Sequence, residues 1–370
     1  RGRDAFRAAG EHVMRSMATR LSVRISLGMC AATALWMASA GLGSGSDAAG
    51  RDDPAKTPTT KPASLAEKYP GDRGMAKDPA VVLHENFESH RAVFRGKRWT
   101  NISNKKGALK LVTDKENVHS GRRALRATAT LGENTGGHLF ARFEKGYEKL
   151  HARFMVKFAE DIDYIHHFVT MAAELLAHKW PTGGAGERPD GEKKFTVGIE
   201  PHGRAGKARP PGAWEFYCYW HKMPRSGDGK YWGAGFADKP YAQAPRGKWT
   251  CVEFMVRCNT PERDDGEVAL WLDGRKVAHH RKINWRSSEE LKLNGFWLML
   301  YVTEHSARKN KVNTVWFDDV VVATEYVGPP VKGEGKPKKD QGDATYRNLK
   351  DKVRDMKDIY KRRKLPGLDQ

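Results

Sequence analysis

Four cysteines in 370 residues leave little room for a disulfide framework. Cys30 lies in an apolar N-terminal stretch, and Cys218, Cys251 and Cys258 allow at most one bridge. Cys251 and Cys258 have opposite parity on one strand pattern, which places them poorly for pairing with each other and reads as buried thiols. The chain has no G-x-S-x-G elbow and no phosphate-binding G-K-[S/T] loop, so the local signatures of α/β-hydrolase and P-loop chemistry are missing. No strand carries the closely spaced Glu and Asp of a jelly-roll glucanase. Glu200 and Glu215 each stand alone, whereas glycoside hydrolysis needs two carboxyl groups facing each other across the scissile bond. Helical periodicity is scarce as well.

What the chain does have is alternation. From Trp249, the residues Val252, Phe254, Val256 and Cys258 fall on one side and Cys251, Glu253, Met255 and Arg257 on the other, the period-two signature of a half-buried strand. A second run, Glu267 to Leu272, turns through Asp273-Gly274, a dipeptide that tolerates positive φ and marks a hairpin. Further strand-like runs occupy Leu109 to Val112, Arg123 to Thr130, His138 to Phe143, Leu150 to Phe158, Phe195 to Pro201, Trp214 to Trp220, Phe296 to Val302 and Val315 to Ala323. Many strands and few helices predict an all-β sandwich of two antiparallel sheets over residues 81–328.

The flanks read differently. Arg15, Arg20 and Arg24 precede an apolar run, Ile25 to Leu42, that contains Ala38-Ser39-Ala40. Residues 1–40 are thus expected to be an upstream extension and signal peptide, with a transmembrane anchor as the alternative. That expectation makes the protein secreted, extracellular or periplasmic. Residues 41–80, with Pro54, Pro58, Pro62 and Pro70 among polar residues, read as a disordered linker. Residues 329–370 read as a basic spacer and short amphipathic helix, with Tyr346, Leu349, Val353, Met356 and Tyr360 on one stripe. The net charge of +20 suits a polyanion such as nucleic acid, anionic lipid or acidic polysaccharide; no nucleic-acid motif accompanies it.

Candidate chemistry lies on three segments. On the strand from Trp214, the residues Trp214, Phe216, Cys218 and Trp220 form one face, and Glu215, Tyr217, Tyr219 and His221 form a polar, titratable face suited to sugar stacking and proton transfer. On the strand from Phe195, the residues Phe195, Val197 and Ile199 point inward, opposite Thr196, Gly198, Glu200 and His202, where Gly198 leaves room for a ligand. His166 and His167 are adjacent, so they face opposite ways and do not readily ligate one metal. One is expected at a groove and the other packed.

The strings Gly247-Lys248-Trp249, Asn259-Thr260-Pro261, Asp265-Gly266-Glu267, Leu270-Trp271-Leu272-Asp273-Gly274-Arg275-Lys276-Val277, Leu293-Asn294-Gly295-Phe296 and Trp316-Phe317-Asp318-Asp319-Val320 resemble the concanavalin A-like jelly-roll polysaccharide lyases, the group of alginate and glucuronan lyases. The resemblance implies β-elimination on an acidic, uronate-containing polysaccharide. It implies His202 or His167 as base, Tyr219 or Tyr217 as acid, and Arg142, Arg153 or Lys157 holding carboxylates, with Glu200, Glu215, His166 and His221 also at the substrate. The chain departs from the group's Gln-Ile-His strand at Ile199-Glu200-Pro201-His202. A non-catalytic carbohydrate-binding module and a cell-envelope structural protein are the alternative functions. No cofactor is implied beyond a conceivable structural calcium joining the Glu85 to Glu88 region to Asp318 or Asp319.

Overall fold

The computed structural model describes residues 64–175, 184–307 and 309–333. The signal-peptide reading, the linker up to residue 63 and the C-terminal amphipathic helix fall outside them. The elements run α1 (Leu65–Lys68), β1 (Val81–Glu85), α2 (His90–Arg95), β2 (Asn101–Ser103), β3 (Leu109–Val112), β4 (Ala124–Thr130), β5 (Gly136–Tyr147), β6 (Lys149–Phe158), β7 (Val169–Glu174), β8 (Lys194–His202), β9 (Ala213–Tyr219), β10 (Ala234–Phe236), β11 (Trp249–Arg257), β12 (Gly266–Leu272), β13 (Arg275–Ile283), β14 (Leu293–Tyr301) and β15 (Val312–Ala323).

The strands form two antiparallel sheets. One has the order β13-β12-β11-β6-β15-β4-β3, with β1 also on β15; the other has the order β10-β9-β8-β7-β14-β5-β2. The sandwich anticipated from the alternation is the fold observed. Inward residues of both sheets meet in a single apolar core. At its centre Phe168 stacks on Phe317 with ring centroids 5.2 Å apart, Phe158 lies 5.6 Å from Phe168, and Trp214 lies 5.8 Å from Phe158. Each fully buried Phe contributes about 1.5–3 kcal/mol relative to exposure.

The hairpin also forms where the dipeptide placed it. Asp273 and Gly274 both take positive φ, 49° and 79°, the requirement of the tight turn whose twist matches its flanking strands, and Leu272 pairs with Arg275.

The expected half-burial of β11 does not hold, because its second face is covered too. Cys251, Glu253 and Met255 are buried there. Over Glu253 the cover is the stretch at Val327 and Gly328, backed by the segment from Ser64 onward, which the composition assigned to the linker through residue 80. Ser64 caps α1 in a reciprocal capping box with Glu67. Leu65, Ala66 and Met75 then pack on Val321, Ala323 and Val327. The chain's last described stretch closes beside it, with the Val327 and Gly328 N–H groups donating to Glu253 at 2.9 and 2.8 Å. A reading by proline content concealed this small apolar set. Cys218, Cys251 and Cys258 are unpaired and buried.

Candidate active site

The outer face of the second sheet carries a trough, and its cross-section follows from the strand register. Trp297 of β14 pairs with Thr170 of β7, Thr170 with Gly198 of β8, and Gly198 with Tyr217 of β9. Side chains on one row of a sheet project together, so small Thr170 and Gly198 make a floor between aromatic walls at Trp297 and Tyr217. A methyl group at Gly198 would meet the Tyr217 carbonyl oxygen at 3.1 Å and Thr170 Oγ1 at 3.2 Å. The space above the floor is thus preserved by the absence of a side chain. The cavity so formed has a volume of about 400 Å³ and is lined by Tyr217, Tyr219, His167, Glu200, His138 and Lys194 among others.

His167 is held on several sides. Its ring stacks on Tyr301, 5.8 Å between centroids and 13° from parallel, and lies 5.2 Å from the Tyr217 ring. Its Nδ1 is 3.2 Å from Glu200 Oε2. Burial lowers the imidazole's pKa to about 4 and raises the Glu200 carboxyl well above the ordinary carboxylate range. Both shifts disfavour charge in a desolvated site, so the pair is uncharged near neutrality.

The two tyrosines form a second unit. Their hydroxyls are 3.4 Å apart, and the Tyr217 oxygen accepts the Gly233 N–H at 3.0 Å. Burial first, then the neighbouring Tyr219, raises the Tyr217 pKa. Tyr217 therefore keeps its proton and can donate it towards Tyr219.

The structure separates the remaining sequence candidates. His166 is not among the cavity-lining residues, and its Nδ1 lies 3.1 Å from Thr303 Oγ1. Its ring is nevertheless 4.3 Å from that of His167 and 5.3 Å from that of Tyr301, so the two histidines do not face opposite ways as expected, because they precede β7 and lie outside its regular alternation. Glu215 shares the outer face but lies beyond the cavity, ion-paired to Arg204 and 3.3 Å from His202. Burial is the main cause that raises Glu215 to about 7. His202 is therefore at the far end of the face, not over the floor. His221 follows the end of β9, and its Nδ1 lies 3.3 Å from the Trp285 carbonyl oxygen.

None of the three cations expected at substrate carboxylates lines the trough. Arg142 is at the opposite end of the face, bonded to Glu174 at 2.7 Å. Arg153 and Lys157 belong to β6 in the other sheet. Arg153 is fully buried on Asp72, and Lys157 donates to the Glu116 carbonyl at 2.7 Å.

Sequence reasoning missed His138, Tyr301, Trp297 and Lys194. The signal was present in β14, where Phe296, Leu298 and Leu300 alternate with Trp297, Met299 and Tyr301, and in β5, where His138 alternates with Leu139. Burial lowers His138 to about 4, and its Nε2 lies 2.8 Å from Asn101 Oδ1.

The carboxylates considered for calcium already have protein donors. Glu85 is bonded to Trp99 Nε1 at 3.2 Å and to the Phe87 N–H at 2.9 Å. Asp318 accepts the His119 and Ser120 N–H groups at 3.0 and 3.1 Å. Among the described residues no cluster suited to a metal ion occurs, and these oxygens do not fit one.

The two-sheet jelly-roll sandwich is the fold of the polysaccharide lyases that the sequence resembles. Within that class, the family model Polysaccharide lyase 14 matches residues 210–317, a span that includes Tyr217 and Tyr219 and stops short of His167 and Glu200. Alginate lyase vAL-1 from Chlorella virus superposes with a TM-score of 0.50 at 15% identity, covering 66% of this chain and 100% of that one. The PL-14 alginate lyase from the marine Aplysia kurodai gives 0.50 at 16% identity, covering 66% and 99%. At these identities the likeness speaks for the fold. No curated protein matches the sequence.

Proposed function

We propose that the chain is a secreted lyase that cleaves an acidic, uronate-containing polysaccharide by β-elimination, with His167 as base and Tyr219 as acid. The observation that carries this reading is the meeting of an imidazole–carboxyl pair and two tyrosine hydroxyls in one trough. The match to Polysaccharide lyase 14 and the two alginate lyases of like fold support a uronate substrate. Export is supported by the arginine-led apolar segment ending in Ala38-Ser39-Ala40.

His167 takes the proton on C5 of the uronate. The C5–H electron pair becomes the C4–C5 double bond, the C4–O4 bond breaks, and O4 leaves with the Tyr219 proton. The Tyr217 hydroxyl, 3.4 Å away, hydrogen-bonds the resulting Tyr219 phenolate, and the cycle closes when His167 releases the C5 proton to solvent and Tyr219 takes one back from it. Lys194 lines the same cavity and offers positive charge to the C6 carboxylate, which makes the C5 proton easier to remove. A positioned acid or base contributes about a hundred- to ten-thousand-fold.

The test is incubation with alginate, glucuronan, pectate and sulfated glycans, following the ultraviolet absorbance of the unsaturated product. Tyr219→Phe and His167→Gln each abolish it on this reading. Undiminished turnover in both variants sinks the residue assignment, and retention of a polyuronate by the wild type without new chain ends replaces the lyase with a binding module.

A further inference from the structure

The rim of the trough on the Tyr217 side carries an indole that the core does not use. Trp232 is 40% exposed, while the other described tryptophans are buried or half-buried. Its orientation is fixed, because Nε1–H donates to Asp228 Oδ2 at 2.8 Å. Its position is fixed from both sides as well. The next residue, Gly233, donates its N–H to the Tyr217 hydroxyl, and a side chain there would strike the Tyr217 ring. The preceding residue, Tyr231, exchanges two backbone hydrogen bonds with Gly186, at 3.0 and 3.2 Å. Gly186 belongs to the loop whose Gly184, Ala185 and Pro189 line the cavity. The indole thus continues the aromatic wall outward from Tyr217. Two cations flank it, the Lys230 ammonium 5.7 Å from the Trp232 ring centroid and the Arg188 guanidinium 5.2 Å from that of Tyr231, and both side chains are exposed.

We propose that Trp232, flanked by Lys230 and Arg188, is an outer binding platform for a uronate unit of the polysaccharide, beyond the units held in the cavity. The proposal rests on the acidic-polysaccharide reading above. The C–H face of a pyranose ring is apolar and packs on an indole face, while the hydroxyl edge stays in water. A carboxylate at the ring's edge would meet the ammonium or guanidinium in a charge-assisted hydrogen bond. A pinned ring costs less to engage than a mobile one, since its rotamer is already chosen. A short substrate that fills only the cavity does not reach the platform; a polymer does.

Wild type, Trp232→Ala, Trp232→Phe and the double variant Lys230→Ala/Arg188→Ala would be compared on long alginate and glucuronan and on their trisaccharides. Affinity is read by retardation in polymer-containing native gels and by calorimetry, and turnover is read separately. Trp232→Ala should weaken binding of the long polymer about three- to tenfold, with kcat and trisaccharide affinity unchanged, and Trp232→Phe should restore most of the loss. The double variant should lose part of the salt dependence of polymer binding. Unchanged polymer affinity in Trp232→Ala overturns the proposal, as does an equal loss on the trisaccharide. A protein that binds polyuronate in this Trp232-dependent way yet releases no unsaturated product keeps the platform and overturns the lyase. Absence of polyuronate binding by the wild type overturns both.

Discussion

Glu200→Gln distinguishes the two protonation states open to the pair on the trough floor. His167 Nδ1 and Glu200 Oε2 are 3.2 Å apart with one proton between them. With the proton on the carboxyl, Glu200 donates to Nδ1, Nε2 carries the ring hydrogen, and the imidazole cannot accept a proton from C5. With the proton on Nδ1, Glu200 is a carboxylate and Nε2 has the lone pair a base needs. Burial favours the first state, raising Glu200 and lowering His167 to about 4. The basic state is reached only when the pair sheds a proton, so kcat/KM should rise with pH through the pair's shared, raised pKa. Glutamine has no such proton to shed. Its carbonyl accepts Nδ1–H and leaves Nε2 basic at neutral pH, which moves the acid limb of the profile down towards the histidine's own value of about 4. The variant loses the carboxylate that would face the imidazolium formed during proton abstraction. A hydrogen bond to a charged group is worth about 1.5–3 kcal/mol, so the plateau should fall about ten- to a hundredfold. Initial rates of product absorbance across neutral and alkaline pH, on protein verified as folded by circular dichroism, measure both effects. An acid limb that stays at the wild-type position, or a loss equal at every pH, refutes the pair as the base.

Two further predictions concern the opposite sheet. Arg153→Ala strands the buried Asp72 carboxylate and should cost about 3–5 kcal/mol in chemical denaturation, with Arg153→Met costing less and kcat/KM unchanged in the folded fraction; a selective rise in KM would instead return Arg153 to the substrate. Asp318 is raised from 3.8 to about 9 by burial and then by the charge of Asp319, so the native state holds a proton that the unfolded chain has released, and stability falls as pH rises between those values. Asp318→Asn should flatten that alkaline decline in the urea midpoint, and an unaltered slope would place the proton elsewhere.

How much of this could be read from the sequence depends on the distance over which each feature is decided. Alternation is local, so it identified the inward faces of β8, β9 and β11, and Asp273-Gly274 identified the hairpin. Which strands lie side by side is not local. β5 ends at Tyr147 and β6 begins at Lys149, so one residue joins them and they read as neighbours in a hairpin. They enter opposite sheets. Arg153 is therefore in the other layer, which is why it does not reach the trough in which Tyr217 lies, whereas Arg142 shares the trough's sheet but is held at the opposite end of its face by Glu174. On its trough side β5 pairs with β14, with Trp297 opposite Phe140, more than 150 positions away along the chain. His138, Trp297 and Tyr301 were invisible as a group for that reason, although the parity of each was plain.

The same distinction explains why the recognisable strings and the candidate chemistry occupy different places. Asp273-Gly274 and the buried faces of β11 and β15 are constrained by backbone conformation and core packing, requirements that a short window of sequence displays. The trough is constrained by what is missing at its centre, Gly198 and the short Thr170, and by the meeting of β8, β9 and β14, which carry Glu200, Tyr217 and Tyr301, with His167 in the segment leading into β7 and bridged to Tyr301. A glycine in a strand is ordinarily a weakness, costing backbone entropy and offering nothing to pack. At position 198 the missing side chain leaves an open floor between Trp297 and Tyr217, and the candidate chemistry is assembled around that gap instead of around a motif.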